Sequence, residues 1–242
     1  MRGLLSAEND LCELCVRFLH SDFRGLRAPR LLTAGGKSEL QQKVAALKQS
    51  LAQNQQALHQ YTWTEKMGTI FKGETKSTKS QCKYYPDGIV QKTALDAPQP
   101  PPQKKRGVKG KVIEKKKDEM KDYMERVGSL VKRYVPPEGS QMQASIQSGK
   151  GGIQPAAGGV VTLIFHDYAK PGDTVSLKFD TAANKVQGYD VSTYLDTPDE
   201  VVTLKVVFDN LPDGTNYVAQ SILDATAKQI QIRTTNSGYN KL

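Results

Sequence analysis

The sequence predicts an α+β fold: a curved antiparallel β-sheet, a half-barrel of about nine strands, with two amphipathic helices over its concave face. Three observations lead there. After Gly159 the chain alternates apolar and polar residues in short runs, separated by turn residues at the spacing of a meander. Two longer stretches switch to the helical period, one ahead of the first strands and one in mid-chain. Strands with one dry face and helices with one apolar stripe need each other. A sheet this long curls or closes rather than lying flat.

Residues 1–36 differ from the rest. They lack sustained periodicity and end in Thr33-Ala34-Gly35-Gly36, so a poorly ordered segment is expected, followed by a single domain over residues 37–242 with a basic helical insert at 98–137. Lys37–Gln60 reads as a helix, with Ser38 as N-cap and Leu40, Val44, Leu47, Leu51 and Leu58 on one face. Tyr61–Leu95 reads as a three-strand meander. Tyr61, Trp63, Glu65 and Met67 share one face, Gly73 makes a bend, and Tyr85-Pro86-Asp87-Gly88 makes a hairpin turn.

The prolines of residues 97–102 end regular structure. Gln103–Lys111 reads as a flexible basic loop. From Val112 to Tyr134, Met120, Met124, Val127, Leu130 and Val131 form a helical stripe, and Pro136-Pro137 stops it. Residues 139–159 read as a short helical turn and a glycine-rich loop. Six strands then run to the C-terminus; Val175, Leu177 and Phe179 oppose Ser176 and Lys178, and Val202, Leu204, Val206 and Phe208 oppose Thr203 and Lys205.

The formal charge is +9, unevenly spread. Lys66–Arg133 carries 18 Lys and Arg against 8 Asp and Glu, whereas Val160–Leu242 carries 7 against 10. A basic segment favours anionic partners. Lys104, Lys105, Arg106, Lys109, Lys111, Lys115, Lys116 and Lys117 are the candidates for contact with an anionic membrane surface. Nucleic acid is an alternative partner for Lys104–Lys117, but aromatics are not set among these charges as base stacking requires. The preferred reading is the solvated side of a packed helix.

Cys12 and Cys15 have redox or zinc spacing, but three cysteines in all and no second ligand pair leave that spacing accidental. Gly149–Gly152 lacks the Gly-Lys-Ser/Thr opening of a phosphate loop. His166 and Asp167 are neighbours on a strand and point to opposite faces, so adjacency makes no dyad. No catalytic motif is present, and no enzyme activity, cofactor or metal is expected. No run reaches the roughly 18 apolar residues of a membrane span.

Several motifs carry a resemblance: Gln60-Tyr61-Thr62-Trp63, Lys72-Gly73-Glu74, Tyr85-Pro86-Asp87-Gly88, Pro171-Gly172-Asp173, Tyr194-Leu195-Asp196 and Leu211-Pro212-Asp213-Gly214-Thr215. From Ser38 to Leu242 the chain resembles uncharacterised exported bacterial proteins and, through them, the periplasmic lipoprotein-carrier (LolA/LolB-like) fold. The resemblance implies export to the envelope. Residues 1–36 stand where a signal peptide would, with Glu8, Asp10, Glu13 and Asp22 interrupting its apolar centre, and a misassigned start is the expected reason.

The functional expectation is a non-enzymatic envelope protein that holds a lipid, a lipoprotein acyl chain or another apolar ligand between sheet and helices. Trp63, Phe71, Met120, Met124, Val127, Phe165, Phe179, Tyr194, Phe208 and Tyr217 are the candidate cavity residues, with methionine as the adaptable component. A structural or interaction module with a filled core and no ligand is a further alternative.

Overall fold

The computed structural model describes residues 35–85, 88–96 and 108–242. The expectation for residues 1–36 therefore lies, apart from Gly35 and Gly36, outside the described residues. Among those described, three helices and ten strands form an α+β fold. The helices are α1 (Gly35–Leu58), α2 (Val108–Val131) and α3 (Gly139–Gln147). The strands are β1 (Tyr61–Phe71), β2 (Glu74–Tyr84), β3 (Val90–Ala94), β4 (Gly151–Pro155), β5 (Val160–His166), β6 (Thr174–Asp180), β7 (Lys185–Tyr194), β8 (Val201–Asn210), β9 (Asn216–Ala225) and β10 (Ile230–Lys241).

The strands make one curved antiparallel sheet in the order β3-β2-β1-β10-β9-β8-β7-β6-β5-β4, open between its two ends. Every sequential pair is joined by a hairpin except where the helices intervene. The exception to sequence order is β1, which pairs with β10 over its whole length. The β1–β2 turn puts Lys72 and Gly73 both at positive φ, the geometry of a tight primed hairpin, and this is the bend expected at Gly73.

The first helix begins at Gly35, which leaves Ser38 inside α1 rather than at its N-cap, and the fold differs from expectation in three further places. Residues 151–155 form a strand rather than part of a loop. Only Ile153 there offers a large apolar side chain, so alternation gave no signal; pairing with β5 supplies the order instead. Gly151 is needed because α1 and α3 press on it. A Cβ there would stand 2.9 Å from Leu40 Cδ2 and 2.9 Å from Ile146 Cγ1. Pro155 is tolerated because β4 is an edge strand. Residues 139–147 form a full helix, α3, which buries Met142 and Ile146. Finally, α2 begins at Val108, inside the segment expected as loop. Gly110 costs a helix only about 1 kcal/mol, and the lysines and glutamates after it are good helix formers.

The dry face follows from the register. One row crosses the sheet as Ile153, Leu163, Leu177, Tyr189, Val206, Ser221, Thr234 and Met67, each the partner of the next. A neighbouring row runs Phe165, Val175, Val191, Leu204, Leu223 and Ile232. The apolar stripe of α1 is buried throughout. Polar bonds fix its position: Ser50 Oγ donates to Asn184 O (2.5 Å), Asn54 Nδ2 donates to Asn216 O, and Asn216 N donates to Asn54 Oδ1 (2.6 Å). These partners lie at the end of the sheet that holds the β6–β7 and β8–β9 turns. α2 lies at the opposite end, near the β5–β6, β7–β8 and β9–β10 turns. There Arg126 pairs with Asp196, Arg133 donates to Ala169 O, and Lys228 Nζ stands 5.9 Å from the Tyr123 ring centroid.

Candidate ligand site between sheet and helices

The structure distributes the ten candidate cavity residues unevenly. Phe165 on β5, Phe179 on β6 and Phe208 on β8 are buried on the dry face, as is Trp63 on β1. Met124 and Val127 of α2 are buried too, and Met120 and Phe71 are partly buried against the same core. These eight belong to one continuous apolar cluster. Tyr194 departs from the group. Its neighbour Thr193 points inward to Tyr134, so Tyr194 projects from the other side of β7, where Lys170 Nζ sits 3.6 Å from its ring centroid and its hydroxyl donates to Pro171 O (2.9 Å). Tyr217 is half-buried and packs on Tyr239, ring centroids 4.4 Å apart.

Of the basic candidates, Lys104, Lys105 and Arg106 lie outside the described residues. Lys109, Lys111 and Lys117 lie on α2 by their backbone. Lys115 and Lys116 are exposed, and Lys115 stands 4.0 Å from Glu119 one turn on, a solvated pair of little energetic weight.

The first three strands build a different interior from the rest. Trp63 lies across from Cys82, and Cys82 from Lys92; Glu65 lies across from Ser80 on one side and Asn236 on the other. Lys92 Nζ reaches the Glu65 carboxylate at 2.9 and 3.1 Å, with 16% and 4% of the two side chains exposed. An ion pair this deep is held by geometry, since burying either charge alone costs several kcal/mol. Burial pushes the Cys82 thiol up to about 12, with the Glu65 charge adding to it, so this thiol is unreactive at neutral pH. Around the pair stands an aromatic cluster. Trp63 stacks on Tyr239 at 5.8 Å and leans on Tyr84 at 5.1 Å, and His59 stacks on Tyr84 at 4.7 Å. Burial raises the phenols of Tyr84 and Tyr239 well above their ordinary range, so both are neutral donors.

A bulge shapes this corner. Thr62 pairs with Asn240 but Thr64 with Ser237, so β10 carries an extra residue there, with Gly238 at positive φ. The bulge resets the alternation and lets both Asn236 and Tyr239 turn inward. Asn236 Nδ2 donates to Val218 O at 2.9 Å. Asn236 Oδ1 and Trp63 Nε1 are buried and have no hydrogen-bond partner among the described residues. Sequence reading missed Asn236, Tyr239, Tyr84 and the Glu65–Lys92 pair as site residues. A signal existed for Glu65, which shares the parity of Trp63 and Met67, but its partner Lys92 is brought to it only by strand pairing.

Beside α2 lies an open hollow of about 550 Å³, lined by Asp122, Glu125, Arg126, Ser129, Leu130, Arg133, Lys170, Leu195 and Asp196. Its walls are mostly charged, and two of these residues, Arg126 and Asp196, form an ion pair. Nearby, Asp173 is fully buried and saturated: it accepts from Tyr134 Oη (2.6 Å) and from the amides of Tyr168, Ala169 and Lys170 at 2.5, 3.0 and 2.9 Å. It anchors the β5–β6 loop. His166 is exposed and contacts Thr174, whereas Asp167 pairs with Lys150 at 2.6 Å, which holds its carboxyl below the usual range. The two side chains have separate partners. Among the described residues no group of three His, Cys, Asp or Glu could hold a metal ion, and no helix is long and apolar enough to cross a membrane.

No family model matches the chain, and no curated protein does. Among solved structures, it is similar to a DUF1329 family protein from Desulfovibrio piger, at 8% identity over 84% of this chain and 92% of that one, with a TM-score of 0.38. It is also similar to a putative outer membrane lipoprotein-sorting protein domain from Vibrio parahaemolyticus, at 10% identity over 84% and 93%, with a TM-score of 0.36. At such identity and TM-score they bear on neither ligand nor location.

Proposed function

We propose that this chain is a non-enzymatic, exported protein that holds an acyl chain, of a lipid or a lipoprotein, between the sheet and α2. The observation that carries the reading is the way α2 is attached. Its inward side is apolar and carries two methionines, while polar contacts at exposed side chains tie the helix and the turn after it to the rim: Arg126 to Asp196 and Arg133 to Ala169 O. Exposed ion pairs contribute about 0–1 kcal/mol. The hollow beside Leu130 lies along this seam.

Eight of the ten candidate side chains pack into the core, so a ligand enters by displacing α2. Burial of each methylene then contributes about 0.8 kcal/mol, and methionine side chains re-form around the chain. Lys115 and Lys116 are exposed and suit approach to an anionic membrane. The motif resemblance supports export.

Trp63 is the only tryptophan of the chain, so its fluorescence reports on the dry face alone. Native mass spectrometry of gently purified protein is expected to show an added mass that disappears on lipid extraction, and titrating brominated fatty acid into the stripped protein is expected to quench Trp63. A clean mass before extraction together with unchanged fluorescence would overturn the proposal.

A further inference from the structure

We propose that the corner formed by Trp63, Asn236 and the Glu65–Lys92 pair receives the polar head of the ligand, and that this head is a neutral ester or amide carrying a hydroxyl or N–H group. The inference rests on the acyl-chain reading above and names the ligand class. Trp63 is 2% exposed and Asn236 5%. Their polar atoms, a donor on Nε1 and an acceptor on Oδ1, lack partners among the described residues. Leaving each such group dry and unpaired costs about 1–3 kcal/mol. Two of them fall in one corner, because Asn236 is the cross-strand partner of Glu65, the next inward residue after Trp63. Diagonal positions of this kind stand about 7–8 Å apart.

The chemistry of the missing partner follows from the atoms. Nε1–H needs an acceptor, which an ester or amide carbonyl supplies. Oδ1 needs a donor, which a hydroxyl or N–H supplies. The nearby charges exclude a charged head. Glu65 and Lys92 pair at 2.9 Å, so the Lys92 charge is already engaged, and an incoming carboxylate would face Glu65. A plain hydrocarbon would leave both orphans as they are. The aromatic wall of Tyr84 and Tyr239 encloses the head and keeps water from competing with it.

The test uses the full chain, stripped of lipid, with anilinonaphthalene sulfonate as displaceable probe. Four competitors share an 18-carbon chain: monoolein, oleoylethanolamide, oleate and octadecene. Monoolein and oleoylethanolamide are expected to displace the probe at about tenfold lower concentration than octadecene or oleate, as two recovered hydrogen bonds would give. Whichever of the two leads identifies the source, a glycerol ester or an acyl amide, and either lead supports the proposal. Asn236→Leu is expected to shrink the gap to about threefold or less, as is Trp63→Phe. A structural role for these residues would weaken all four competitors alike and leave the ratio unchanged; that result, in either folded variant, overturns the inference. Octadecene or oleate matching monoolein in the parent protein overturns it too, while leaving the acyl-chain reading intact. Failure of all four to displace the probe overturns both.

Discussion

Strands β5 to β8 and strands β1 to β3 share one sheet but have different interiors. In β5–β8 every inward position named above is apolar except Thr193 near the end of β7, and Phe165, Leu177 and Tyr189 have essentially no exposed surface. In β1–β3 the inward positions mix aromatic, sulfur-bearing and charged residues: Trp63, Glu65 and Met67 on β1, Cys82 and Tyr84 on β2, Lys92 on β3. The transition is gradual along the rows, through Ser221, Thr234 and Asn236 on β9 and β10. An interior made only of hydrocarbon maximises stability and selects nothing by polarity. An interior with fixed donors and acceptors gives up some stability for selectivity. The first group of strands therefore reads as the recognising half, the second as the stabilising half.

The contrast can be broken at several points. The largest expected effect is in the stabilising half. Phe165→Ala is expected to cost about 3–5 kcal/mol in urea unfolding, because the site is closed on all sides and cannot collapse. Met67→Ala, at the margin of the other half, is expected to cost less, about 2 kcal/mol, since the surrounding polar groups can admit water. Equal costs would remove the distinction.

A smaller effect is expected at the ion pair. Lys92→Met leaves Glu65 buried without its cation and is expected to cost about 3 kcal/mol, whereas the double change Glu65→Leu with Lys92→Met recovers most of the loss. A double variant as unstable as the single one would mean that the pair itself, not relief of an unpaired charge, holds the hairpin.

The smallest effect concerns a tie between the halves. Tyr61 on β1 donates to Asp213 in the β8–β9 turn at 2.5 Å. That bond, with help from the amide of Thr215, holds the Asp213 carboxyl at about 2, below its ordinary value of 3.8. The folded form thus keeps Asp213 ionised where the unfolded chain would protonate it. Stability from this group is complete above about pH 5 and is lost as pH falls toward 2. Asp213→Asn is expected to flatten that part of the acid limb in a pH series of thermal melts and to change little at pH 7. An unchanged acid limb would show that the halves are not coupled here.

How far the sequence revealed this depended on the kind of signal. Strict alternation in β6 and β8 made their inward sides legible, and the single-face leucines of α1 did the same for the helix. β4 was illegible because glycines carry no pattern, and its order comes from a neighbour far along the chain. Tyr194 misled because a large aromatic at a strand end resembles core until the parity of Thr193 is known. The polar corner was the hardest to see. Glu65 had the right parity, but its partner Lys92 and its neighbour Asn236 join it only through strand pairing, and the bulge at Gly238 changes the parity of Tyr239 in a way that no local pattern announces.

The pairing of β1 with β10 has a consequence for how the chain comes together. The partners are separated by roughly 160 to 180 residues, while nearly every other ladder joins neighbours in sequence. The meander from β4 to β9 can assemble as it is synthesised, but the β1–β3 hairpins have no docking edge until β10 arrives. Until then their inward tyrosines, tryptophan and ion pair face solvent. The recognising half is thus the last to form, on a ladder that spans the whole of β1.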